Sequence, residues 1–219
     1  VLASNAAGEQ GRSSYPLQVS TQVLPLDPLT PEEIELAAQV AGADPHVQKE
    51  LGSGRRQLIR VQFLDLKAGI DLKTGQEQTS SKAGRYAAVL FYRYDTDQGV
   101  NIVVDLRQRS VGNITRLEGR AVPLAIEEVR QAFALALLDK RVRGLLGSKA
   151  GDFRVARPSA ERPENSVEGL RVVATEPGDS CYKHRCIELH FRKREGYVAG
   201  TSVTVDLSAQ RVRIKNTVR

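Results

Sequence analysis

The chain has 219 residues, 41% of them apolar, with 32 basic and 26 acidic side chains and a net charge of +6. That length holds one large domain or two of roughly 100 residues, each with an ordinary core. No run of eighteen apolar residues is present, which excludes a membrane-spanning helix in the sequence, and neither a G-x-S-x-G elbow nor a phosphate-binding P-loop motif occurs.

Residues 1–23 are poor in helix or strand signal, and read as a tail left behind a leader or as a flexible N-terminus. The chain starts at Val1 and contains no methionine, so its initiator is expected to have been removed. No Cys is present there to carry a lipid anchor.

The stretch PLDPLTPEEIELA (25–37) opens the first helix. Thr30 is placed to be the N-cap, Pro31 suits the first helical position, and Glu33 completes a capping box. Ile34, Ala37, Ala38 and Ala41 supply an apolar stripe at helical spacing, Gly42 reads as the stop, and Asp44-Pro45 starts a second short helical turn. Alternating patterns then predict strands over Gln57–Leu66, Tyr86–Tyr94, Val100–Leu106 and Ser110–Leu117.

The same order returns. Residues 28–53 and 123–148 align without a gap at an offset of 95, with eleven of 26 positions identical, among them Pro28/Pro123, Glu33/Glu128, Ala37/Ala132, Asp44/Asp139 and Gly52/Gly147. Val103-Val104-Asp105-Leu106 matches Thr204-Val205-Asp206-Leu207 at offset 101. Strands follow near Leu170–Thr175, Cys186–Lys193, Thr201–Leu207 and Arg211–Asn216, with Ile187, Leu189 and Phe191 on one face. Short connections such as Asp95–Gly99 imply antiparallel neighbours. The expected fold is α+β: two tandem units, 24–117 and 118–219, each a helix packed on a four-stranded antiparallel sheet.

Cys181 and Cys186 stand five apart with no other cysteine. They suit a local disulfide; two free thiols in a reducing compartment are the alternative. Zinc bound with His184 and His190 matches no established ligand spacing. Asp105 and Asp206 occupy equivalent strand ends. A shared active-site role is one reading, and an outward-facing Asp that binds the backbone of the following turn is the favoured one.

Split at Leu117, the first part has 13 basic and 13 acidic residues and the second 19 and 13, so the whole charge excess lies in the second. Arg192 and Arg194, and Arg211, Arg213 and Lys215, alternate with inward positions and form a candidate polyanion-binding stripe. An ordinary solvated sheet face is the competing reading. Nucleic acid is disfavoured because Tyr197 is the one aromatic nearby.

A helix opened by PLDPLTPEEI, with strands ending in VVDL and TVDL and a tandem duplication, resembles the small N-terminal domains of copper amine oxidases. The resemblance covers about residues 24–219 and implies two cystatin-like domains. In that family catalysis needs a topaquinone-forming Tyr after Asn, and a His-x-His pair plus a third His for copper. None of the six tyrosines here follows Asn, and no two of His46, His184 and His190 are two apart. Nor is there a Gln-x-Val-x-Gly loop of the cystatin inhibitors; Gln39-Val40-Ala41-Gly42 has the wrong spacing. No catalytic residue, cofactor or metal site is therefore expected. The expectation is a non-catalytic, secreted or periplasmic interaction module whose partner is another envelope protein such as an amine oxidase. The alternatives are a polyanion-binding module and an enzyme with an unrecognised site between the units.

Overall fold

The computed structural model describes residues 27–65, 84–156, 163–198 and 201–216. The expected tail over 1–23 and the end of the first strand at Leu66 lie outside the described residues. No helix among the described residues is long and apolar enough to cross a membrane.

The N-terminal half contains α1 (Pro31–Ala43), α2 (Pro45–Leu51) and β1 (Arg56–Leu64), β2 (Tyr86–Arg93), β3 (Gln98–Asp105) and β4 (Ser110–Glu118). The strands form one antiparallel sheet in sequence order. The C-terminal half contains α3 (Ile126–Leu138), α4 (Lys140–Leu146) and β5 (Arg154–Val155), β6 (Ser166–Val172), β7 (Cys186–Lys193), β8 (Gly196–Tyr197), β9 (Thr201–Asp206) and β10 (Arg211–Asn216). Its sheet runs β10-β9-β7-β6-β5, with β8 on the end of β7, and β5 pairs parallel with β6. The architecture is thus mixed α+β, as expected. The second sheet departs from four antiparallel strands by gaining β5 and β8, two-residue pairings too short to leave a pattern in sequence. Its first long strand begins at Ser166 rather than near Leu170.

The repeated positions have local causes. Thr30 and Glu33 form the capping box: Thr30 N–H donates to Glu33 at 2.9 Å and Glu33 N–H to the Thr30 hydroxyl at 3.3 Å. At α3 the cap is Ala125, which has no side-chain acceptor, so Glu128 alone supplies the reciprocal bond, at 3.0 Å from Ala125 N. Ala37, Ala41, Ala132 and Ala136 are fully buried and let each long helix lie close on its sheet. Asp44 and Asp139 cap the short helices, and Gly52 and Gly147 end them at φ 63° and 72°, a conformation that favours glycine.

Two expectations for α1 shift. The helix runs past Gly42 to Ala43, and Asp44 both ends it and caps the next. Ile34 is 40% exposed and stands off the apolar stripe. Glu33 faces inward to meet Arg85, so Ala37 and Ala41, four and eight positions on, follow it onto the sheet, while Ile34 is turned away by about 100°.

Beneath each helix start lies an arginine that the aligned repeat windows do not include. Arg85 grips both oxygens of Glu33, at 2.5 and 2.7 Å, and donates to the carbonyls of Asp27 and Pro28 at 2.9 and 3.0 Å. Arg185 does the same to Glu128, at 3.0 and 2.7 Å, and to the carbonyls of Val122 and Pro123 at 2.8 and 2.5 Å. Each arginine's own carbonyl accepts from the Leu after the Asp at the strand end, Leu106 and Leu207. Helix start, linker and central strands are tied through one guanidinium in each half.

The halves share a core. Leu90 and Tyr92, on the face of β2 away from α1, and Tyr94 just beyond its end, pack into the cluster built on α3 and the second sheet. Gly99 on β3 faces the linker, where an added Cβ would stand 2.5 Å from Val122. Gly169 on β6 likewise sits under Val129 of α3, with 2.8 Å to both methyls.

The two clamps differ in burial. Arg185 and Glu128 side chains are both 0% exposed, whereas those of Arg85 and Glu33 are 7% and 20% exposed. Removing one member of a fully buried pair strands the other. Arg185→Ala is expected to lower stability by about 3–5 kcal/mol, and Arg85→Ala by distinctly less, because water reaches Glu33. Urea unfolding of the two variants tests this; equal losses would show that burial does not set the difference.

Candidate functional site

The junction of the halves combines ionic, aromatic and backbone groups. The Arg185 guanidinium lies 4.4 Å from the Tyr92 ring centroid, and Arg55 lies 4.0 Å from that of Tyr94. The Tyr94 hydroxyl donates to Glu128 at 2.9 Å, and that of Tyr92 to Asp97. Arg55 donates to the Leu207 carbonyl, and Arg171 to those of Gly119 and Val122. Burial pushes both phenols above their ordinary pKa, reinforced by Asp97 at Tyr92 and Glu128 at Tyr94. It pushes the Arg171 guanidinium down, with Arg185 adding to the effect. The Arg85 hydrogen bonds hold Glu33 below the usual carboxylate value, against burial that would raise it.

Next to this network an open cleft of about 600 Å³ separates the β2–β3 turn from the loop before β7. Its lining mixes the carboxylates of Asp95, Asp97 and Glu118 with Arg120, Arg171, Tyr182 and Lys183. This is the inter-unit position to which the enzyme alternative assigned its site. Among the described residues, no three His, Cys, Asp or Glu side chains converge as metal ligands.

The loop before β7 is closed by the Cys181–Cys186 disulfide, with Cα atoms 5.5 Å apart. It folds over the outer face of the second sheet. Asp179 accepts from Cys181 N at 2.8 Å and from Arg213 at 3.1 Å, and these bonds lower its pKa in that order. The loop explains a difference between the equivalent aspartates. Asp105 is half-buried and accepts from the turn N–H groups of Arg107 and Gln108, both at 2.9 Å. Asp206 also binds its turn, through Ala209 N at 2.9 Å, but is only 2% exposed rather than outward-facing. His184 of the loop covers it at 2.7 Å. His190 lies on β7 opposite Glu168.

Arg211, Arg213 and Lys215 share the outer face of β10, opposite Asp206, Thr204 and Ser202. Arg192 projects from the same face of β7, and Arg194 follows in the turn. Acids are interleaved: Glu188 stands opposite Thr204 on the next strand, Arg213 is bound by Asp179, and Arg194 lies 3.9 Å from Glu164. Arg211 and Lys215 are exposed on the edge strand.

The fold is similar to that of a copper-containing benzylamine oxidase from Hansenula polymorpha, with a TM-score of 0.52 and 15% sequence identity. The match covers 89% of this chain and 30% of that one. No protein-family model and no curated protein matches the sequence. The amine-oxidase resemblance carried by PLDPLTPEEI therefore holds at the level of fold.

Replacing both cysteines by Ser is expected to cost about 2 kcal/mol, the loop-closure value for so short a ring; urea midpoints of the oxidised and double-Ser proteins check it. Tyr92 and Tyr94 stay neutral when folded at pH values where unfolded tyrosines ionise. Their contribution is complete below about pH 10 and is lost as pH rises further. Absorbance titration at 295 nm is expected to show these phenols ionising only together with unfolding; their ionisation in the folded chain near pH 10 would contradict the burial.

Proposed function

We propose that the chain is a tandem pair of cystatin-like units, 24–117 and 118–219, acting as a non-catalytic interaction module in the manner of the N-terminal accessory domains of copper amine oxidases. The supporting observation is the coverage of the fold likeness: nearly all of this chain corresponds to less than a third of an oxidase chain. The repeated helix-start motif and its repeated arginine clamp favour two units of common design. The module works in an oxidising compartment, periplasmic or secreted, where the Cys181–Cys186 bond persists. Its partner is a separate envelope or extracellular protein, with an amine oxidase first among the candidates; that choice rests on fold analogy.

Immobilised chain incubated with extracellular or envelope extract is expected to retain a specific protein, and peroxide release from benzylamine in the eluate would identify it as an oxidase. Purified chain supplied with copper is expected to release none. Turnover by the chain alone, or retention of no specific protein, would overturn the reading.

A further inference from the structure

The second sheet ends in an open edge. β10 is its last strand and pairs with β9 alone. Leu207 N–H donates to the Arg185 carbonyl at 2.8 Å, so the odd-numbered residues of β9 turn their backbone groups to β7 and the even-numbered ones to β10. The pairs Arg211–Asp206, Arg213–Thr204 and Lys215–Ser202 therefore carry the β9–β10 ladder. Val212 and Ile214 lie between them and turn N–H and C=O outward, and no group among the described residues bonds to them there. Such an edge is a template for one more strand.

What flanks the edge selects that strand. On the outer face Arg211 and Lys215 are exposed, and among the described residues neither forms an ion pair. Arg213 between them is taken by Asp179, which Lys215 also attracts at longer range. Asp206, opposite Arg211, is occupied by His184 and the Ala209 N–H. On the inner face an open groove of about 370 Å³ runs between Arg141 and Leu145 of α4 and Thr201 and Ile214 of the hairpin. Leu145 and Ile214 give it half-buried apolar walls, and Lys140, Arg141 and Arg143 stand exposed on α4, with Asp139 paired to Arg141 at 2.6 Å.

Two other occupants fit less well. A second copy pairing through the same edge would bring two rows of cations together, which opposes it. A phosphate or sulfate group offers acceptors but no donor for the outward carbonyls, and nothing to cover Leu145 and Ile214. Resting on the interaction-module reading, we infer that β10 is extended by a strand of the partner protein in which acidic residues alternate with apolar ones. Its backbone bonds to Val212 and Ile214, its carboxylates lie beside Arg211 and Lys215, and its apolar side chains cover the groove at α4.

The test uses the whole chain and a fluorescein-labelled, acetylated Glu-Val-Glu-Val-Glu-Val peptide in fluorescence polarisation. The peptide is expected to bind. N-methylation of one alternate set of its residues is expected to abolish binding and of the other set to spare it, because one set of N–H groups faces β10. Arg211→Glu with Lys215→Glu is expected to weaken binding on the order of tenfold or more, as two cross-strand attractions become repulsions; circular dichroism confirms its fold. Arg107→Glu with Arg109→Glu, the same charge change on the exposed β3–β4 turn, is expected to leave binding unchanged. No binding by the wild type, equal effects of the two methylated sets, or equal binding by the β10 variant would overturn the proposal. So would a heparin hexasaccharide bound where the peptide is not, or a wild type that sediments as a dimer and excludes the peptide. A native partner retained equally by the wild type and the β10 variant would overturn the edge and leave the module reading standing. Peptide binding lost in the β10 variant, with no native partner retained by either protein, would support the edge and count against the module.

Discussion

One guanidinium under each long helix organises its half of the molecule. A helix start exposes N–H groups, and a linker entering it exposes carbonyls; both need partners once covered by a sheet. Glu33 and Glu128 answer the first need, and Arg85 and Arg185 answer the second while neutralising the glutamates. Because each arginine immediately precedes a central strand, the helix is fixed at a set height and angle on the sheet. A buried ion pair is an uncertain source of net stability. Its clearer effect here is positional, since a slip of the helix by one residue would break four charge-assisted bonds together.

Much of this was legible in the sequence, for physical reasons. The capping box, the Pro at N1 and the Asp44-Pro45 start of the second helix are local devices that function wherever they occur. The alternation of Ile187, Leu189 and Phe191 is likewise local, and all three are buried. The arginines were harder to find. They lie 52 and 57 residues from their glutamates, and their offset of 100 differs from the 95 of the helix windows. The available signal was a lone Arg just ahead of a strand in both copies, Arg85-Tyr86 and Arg185-Cys186.

The sites divide in the same way. The disulfide was legible because its partners are close in sequence. Four of the five candidate cations were legible as members of one outer face, Arg192, Arg211, Arg213 and Lys215, while Arg194 falls in the turn after β7. Of the acids among them Glu188 shares their strand alternation, but Asp179 and Glu164 were not legible, because they arrive from loops. The cleft left no trace in the pattern at all. Its walls come from a hairpin turn, a linker and a disulfide-closed loop, and only tertiary packing brings Asp97 and Arg171 to the same opening.

The burial of Leu90, Tyr92 and Tyr94 against α3 makes the two halves unequal. Both carry the same kind of helix-start clamp, yet the first half serves as the lid of the second. Tyr94 completes the hydrogen bonding of Glu128, and Tyr92 roofs Arg185, both from the other half, while at the first clamp Phe63 of the same half faces Arg85, 5.4 Å from the guanidinium to the ring centroid. The halves are therefore not exchangeable. The first leaves its clamp partly open to water, whereas the second depends on its neighbour, and a chain without its first half would uncover a charge pair shaped to be dry.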